Sequence, residues 1–211
     1  MGEGRSDAGV MVSDDEVVDL VFALRGRAIA LDYADRLWEG LRERLRWLDQ
    51  LELVGVHPLA GVSPGDSEMY LTRRARLALR LPAGCGDAAR ALTGSRLDLG
   101  GEVEVGTSTQ RSLSPTKVLY SSFVTMGESD EQGFTVACRE ALAVAGIAGH
   151  LVCGKARRAA GAHREWRGFS LMLHGLTERD SLRLQRNGLG DERQRGCGIF
   201  VPHKAVAVVE D

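Results

Sequence analysis

Apolar residues in this chain change their spacing from every second position to every third or fourth and back, and they do so in the same order twice. That repeated order is the strongest limit on its fold. The mostly apolar run Val17 to Leu24 predicts a strand covered on both faces. Asp32 then stands where a cap would open a helix whose Ala34, Leu37, Trp38, Leu41, Leu45 and Leu48 form one stripe. A turn-rich stretch from Val56 to Asp66 leads into a strand from Thr72 to Leu81, a short helix from Gly86 to Leu92 and a strand near Glu102 to Val105.

Pro115 marks the boundary before the second round. A strand from Lys117 to Thr125 is expected to present Val118, Tyr120, Ser122 and Val124 on one face. A capping box of Ser129 and Gln132 then opens a helix striped with Phe134, Ala137, Cys138, Ala141, Leu142 and Ala145. Leu151 to Arg158 and Phe169 to His174 read as a hairpin joined through Gly161. Thr177 caps a last helix that Gly188 stops, and Cys197, Ile199 and Val201 alternate in a last strand. The expected fold class is α+β, as two tandem ferredoxin-like (RRM-like) βαββαβ domains over residues 16–113 and 116–211, behind a disordered leader at residues 1–15.

The formal charge of -2 hides a segregation. Residues 151–204 carry eleven Lys or Arg against five Asp or Glu, whereas the first twenty residues carry six acids and one Arg. Such a basic C-terminal half suits a polyanionic partner, although solvated charged faces are the ordinary alternative. Cys85, Cys138, Cys153 and Cys197 lie scattered without metal-ligand spacing, so structural thiols are expected and no metal or cofactor. With no long apolar run and no basic signal start, a cytoplasmic protein without a membrane span is expected.

Three basic features stand out. Gly188, Gly190, Gly196 and Gly198 place two Gly-X-Gly units around a charged turn, where open amides backed by Arg193 and Arg195 could hold a phosphate. Alternation puts Arg74, Arg76 and Arg80 on one face of the predicted strand from Thr72 to Leu81, opposite Ala75, Leu77, Leu79 and Leu81. Lys155, Arg157, Arg158, Arg164 and Arg167 decorate the predicted hairpin. Glycine turns before strands and arginines on exposed strands are both common, and only their combination points to a nucleic-acid groove.

The order of elements, together with GLGDERQRGCGIFVPHK, SLMLHGL, LTRRARLALRLP and VHPLAG, resembles the CRISPR-associated protein 6 group, its I-MYXAN branch in particular, over nearly the whole chain. The resemblance implies a metal-independent endoribonuclease that cuts CRISPR precursor transcripts within each repeat. A 2′-oxygen attacks the adjacent phosphorus, leaving a 2′,3′-cyclic phosphate and a 5′-hydroxyl. It also implies that the protein stays on the 3′ stem-loop of the guide RNA within a type I effector complex, and that His203 and Lys204 touch RNA. Relatives of this branch usually place a catalytic His near the start of the first helix, and Tyr33 falls there instead.

Tyrosine is a poor base, with a reference pKa near 10. His57 is the leading substitute, with Tyr33 as an acid or hydrogen-bond donor, although a His before Pro58 also suits a plain turn. A stem-loop-binding subunit that has lost cleavage is the competing function. A general RRM-like RNA binder ranks last, because only 5% of the chain is aromatic and no RNP-like strand occurs. His150, His163 and His174 carry no motif, and Ser170 and Cys197 have no base partner.

Overall fold

A computed structural model describes residues 16–65, 67–127, 130–160 and 165–204. The expected leader, Ser129, Gly161, His163 and Arg164 lie outside the described residues. The first unit contains β1 (Val17–Gly26), β2 (Ala28–Ala30), α1 (Tyr33–Arg44), β3 (Gly55–Val56), β4 (Gly61–Val62), β5 (Glu68–Leu71), β6 (Arg76–Pro82), α2 (Gly86–Ala89), β7 (Arg96–Asp98) and β8 (Glu102–Ser112). The second contains β9 (Val118–Val124), α3 (Glu131–Val144), β10 (His150–Ala160), β11 (Glu165–His174), α4 (Glu178–Asn187) and β12 (Val201–Pro202).

The sheets run β3-β6-β1-β8-β7 and β10-β11-β9-β12. With the additions β2, β4, β5 and β7 set aside, both orders read second, third, first, fourth, and their ladders are antiparallel. The chain is therefore α+β, with two ferredoxin-like units in tandem. Each has its own apolar core. In the first, Leu37 and Leu41 of α1 pack on Leu20, Phe22, Leu77 and Leu79 of the sheet. In the second, Phe134, Cys138 and Leu184 pack on Leu119, Phe169, Leu171 and Leu173. Each fully buried Leu or Phe contributes about 1.5–3 kcal/mol. Among the described residues no helix is long and apolar enough to cross a membrane.

Local signals decide some ends and not others. Thr177 caps α4 by accepting the Asp180 N–H at 3.1 Å, as its sequence predicts. Asp130 caps α3 by accepting the Gly133 N–H at 2.9 Å. Asp32 makes no side-chain cap at α1. That helix stops at Arg44, and Leu45 and Leu48 enter the core from the chain beyond it, where residues 46–50 form a 3-10 turn. The buried face of β9 carries Leu119 and Ser121 rather than Val118 and Tyr120, and the register shift against β11 between Phe169 and Leu171 brings Val124 onto that same face. The turn-rich stretch contributes β4 to an added sheet, β2-β5-β4, and β8 runs to Ser112, well beyond Val105. The last strand shrinks to Val201–Pro202, with Cys197, Ile199 and Phe200 buried in the approach to it.

Candidate active site

Strand β3 stops one residue before His57, and Pro58, which has no amide hydrogen, ends the ladder. The His57 N–H still donates to the Ala78 carbonyl at 2.9 Å. Because side chains alternate along strands, Gly55 and His57, Ala78 and Arg80, and Asp19 and Val21 share the sheet face turned away from their own core. Gln185 of α4 and Val201 and Pro202 of β12 approach that face from the second unit. A cleft of about 460 Å³ remains, lined by Asp19, His57, Arg74, Arg76, Arg111 and Gln185 together with neighbouring backbone.

At its floor Asp19 of β1, Arg80 of β6 and His57, just past β3, meet. His57 Nε2 lies 3.0 Å from Asp19 Oδ1. Arg80 donates from Nε to Oδ1 at 2.8 Å and from Nη2 to Oδ2 at 2.9 Å, gripping the same carboxylate on both oxygens. Burial pushes the Asp19 carboxyl pKa up, but the hydrogen bonds and charges of Arg80 and His57 outweigh it and hold the group well below the usual carboxylate range. Asp19 is therefore ionised at neutral pH. Tyr33 does not line the cleft but bonds the loop that follows His57. Its hydroxyl accepts the Leu59 N–H at 2.8 Å, which anchors the loop two residues after His57. Burial raises the phenol to about 12, against the opposing effect of that hydrogen bond, so Tyr33 stays neutral and cannot serve as a base near neutrality.

A family model described as "Cas6 Crispr" matches residues 18–205. The chain belongs to the Cas6 family. It is 33% identical over 195 residues to the CRISPR-associated endonuclease Cas6 of Myxococcus xanthus (strain DK1622), an alignment spanning 92% of this chain and 84% of that one. Among solved structures it resembles a Cas6-related protein from Pyrococcus furiosus, with a TM-score of 0.63 at 12% identity over 88% of this chain and 98% of the other. It also resembles a RAMP protein described as binding different RNA substrates, with a TM-score of 0.60 at 12% identity over 88% and 98%. At those identities the likeness is one of fold.

Two of the sequence-based expectations for this Cas6 chain need correction. Arg80 is not part of an exposed cationic stripe with Arg74 and Arg76. It is 1% exposed, and Nη1 donates to the carbonyls of Gln185 and Phe200, both at 2.8 Å, so the residue joins the two units. The period of two placed it on the right face, but the second unit covers that part of the face.

The glycine loop likewise differs from the open phosphate cradle that its sequence suggests. The amides of Gly188, Leu189, Asp191, Gly196, Cys197 and Gly198 donate to carbonyls within the protein. Gly190 and Gly198 have positive φ, and a Cβ on either would lie 2.2 Å from the carbonyl oxygen of Thr125 or Leu189. These glycines admit neighbouring backbone, as does Gly188 against the Gly198 oxygen. Arg193 is buried and donates to the Arg186 and Asn187 carbonyls at the end of α4, at 2.9 and 2.6 Å. Arg195 bonds Asp35 of α1, donates to Glu192 at 2.9 Å and sits 5.6 Å over the Trp166 ring. The loop welds one unit to the other.

The remaining basic candidates are outward. Lys155, Arg157, Arg158 and Arg167 are exposed on β10 and β11, where Arg158 faces Arg167 across the ladder and both approach Glu165. His203 and Lys204 are exposed, with the His203 ring 5.4 Å from that of Tyr120. Thus the fold gathers His57, Arg74 and Arg76 in the cleft, sets Tyr33 outside its lining, and leaves the hairpin cations on the second sheet. Asp19 and Arg111 were missed as site residues. An acid inside the run VVDLVFAL was the available signal for Asp19, since a carboxylate there requires a cation. Arg111 gave none, because its strand extends beyond the predicted end.

Proposed function

We propose that this Cas6 family member is an endoribonuclease that cuts CRISPR precursor transcripts within their repeats by internal attack of a 2′-hydroxyl. The observation that carries this reading is the interdomain cleft, where His57 stands among Arg74, Arg76 and Arg111. The relative from Myxococcus xanthus, at 33% identity, is named an endonuclease. In this reaction the 2′-oxygen–phosphorus bond forms and the phosphorus–5′-oxygen bond breaks. His57 takes the 2′-hydroxyl proton, and the departing 5′-oxygen is protonated from solvent, giving a 2′,3′-cyclic phosphate and a 5′-hydroxyl. The cleft arginines offset the charge that builds on the phosphoryl oxygens. Tyr33 positions the His57 loop through Leu59 instead of transferring a proton itself.

The reading extends to the RNA held after the cut. Lys155, Arg157, Arg158, Arg167, His203 and Lys204 supply outward positive or polar contacts for the repeat stem, and the product stays bound as part of a type I effector complex. The test is single-turnover cleavage of the CRISPR repeat RNA of its own host in excess EDTA. Wild-type protein should yield a cyclic-phosphate end, and His57→Ala should cut about 100-fold more slowly or worse with its RNA affinity retained. Repeat RNA that is bound tightly and stays intact with the wild type would establish instead a stem-loop-binding subunit.

A further inference from the structure

Asp19 does more than neutralise a buried arginine. We infer that Asp19, clamped by Arg80, is a positioning residue that fixes the tautomer of His57, so that Nε2 carries the hydrogen and Nδ1 carries the lone pair that receives the substrate proton. The inference rests on His57 as the base proposed above. Its foundation is geometric: the carboxylate receives Arg80 on both oxygens, and His57 Nε2 lies 3.0 Å from Oδ1.

An ionised carboxylate only accepts hydrogen bonds, so a neutral imidazole paired with it must donate from Nε2. That leaves Nδ1 as the basic nitrogen. The other charged groups lining the same cleft are Arg74, Arg76 and Arg111, all cations, and none can accept a hydrogen bond from the ring. Arg80 keeps the acceptor rigid, because its Nη1 is held by the Gln185 and Phe200 carbonyls of the second unit. Pairing Arg80 alone would require no exposed edge on Asp19. Yet the Asp19 side chain keeps 17% of its surface open, beside a His57 side chain that keeps 16%.

The test combines two readouts on the full chain. Spectra of 15N-labelled histidine, with His57 assigned by His57→Gln, should show neutral His57 protonated at Nε2. In Asp19→Asn the carboxamide offers a donor to that nitrogen, so the Nδ1-protonated form should gain population. Single-turnover cleavage of the host repeat RNA should fall about 100-fold or more in Asp19→Asn while RNA affinity stays at the wild-type level, and Asp19→Glu should recover part of the rate.

An Nδ1-protonated His57 in the wild type would overturn the inference, even if Asp19→Asn does not fold. So would Asp19→Asn cleaving at the wild-type rate, or losing rate and affinity together. If wild-type protein cuts no RNA, the proposed function fails by itself, and the 15N spectrum still decides the tautomer.

Discussion

Gly190→Ala separates a glycine kept for the protein's own backbone from one kept for a ligand. At this position φ is +78°, and an added Cβ would sit 2.2 Å from the Thr125 oxygen and 2.9 Å from Met126 Sδ, where real Cβ contacts essentially never fall below 3.0 Å. The backbone conformation alone costs about 1–2 kcal/mol for an L-residue. Forcing Cβ and carbonyl apart costs about 1–3 kcal/mol as overpacking, and the neighbouring Asp191 N–H bond to the same oxygen, 3.0 Å long, is disturbed as well. The two quantified costs sum to about 2–5 kcal/mol, or roughly 4–20 °C of melting temperature for a chain of this size, with the disturbed hydrogen bond adding to them. Gly94→Ala is the control. Its φ is +82° with nothing within 4 Å of the added atom, so it should lose only the conformational part, roughly 2–8 °C. Thermal melts of both variants, with RNA affinity measured against salt, decide the matter. If Gly190→Ala melts alongside Gly94→Ala but binds RNA poorly, the glycine serves a ligand and the reasoning about a welded loop is wrong.

Charge reversal at Arg74, Arg76 and Arg111 should weaken binding of the repeat RNA and flatten its salt dependence by about 0.7–0.9 in log–log slope for each phosphate that is no longer neutralised; an unchanged slope would remove the cleft from the RNA path. Tyr33→Phe leaves the Leu59 N–H without its acceptor and should cost about 1–3 kcal/mol in melts near neutrality. The wild-type phenol is raised to about 12, chiefly by burial. Its contribution is therefore whole below the ordinary phenol value of about 10 and is lost as pH climbs through the folded value. Across that alkaline window the wild type should lose stability more steeply than Tyr33→Phe, and parallel slopes would show that the phenol is not held neutral.

Periodicity made the elements of both units legible, because each buries one side of a regular structure and writes that side into the spacing of Leu37, Trp38 and Leu41 or of Phe134, Cys138 and Leu142. Residue chemistry also marked His57 as a candidate base. The second strand of the first unit, β3, is the exception, and the additions β2, β4, β5 and β7 were not legible either, since two- to four-residue strands carry too little pattern to separate from turns. The charged residues divide for a different reason. Alternation assigns Arg74, Arg76 and Arg80 to one face but contains no information on what lies over it, and here Gln185 of α4 and Phe200, just before β12, cover only Arg80.

From its sequence by itself, then, the chain determined its α+β class, most strands and helices of the two units and His57 as a candidate base. Those features rest on local period, caps and residue type. Only the tertiary structure decided that the glycine loop closes on protein backbone, that Arg193 and Arg195 are structural partners, and that Asp19 meets His57. Each of these depends on atoms brought together from distant parts of the chain. Whether a glycine faces a phosphate or a carbonyl, and whether an arginine faces solvent or a carboxylate, is set by how one unit docks on the other, and no local pattern encodes it.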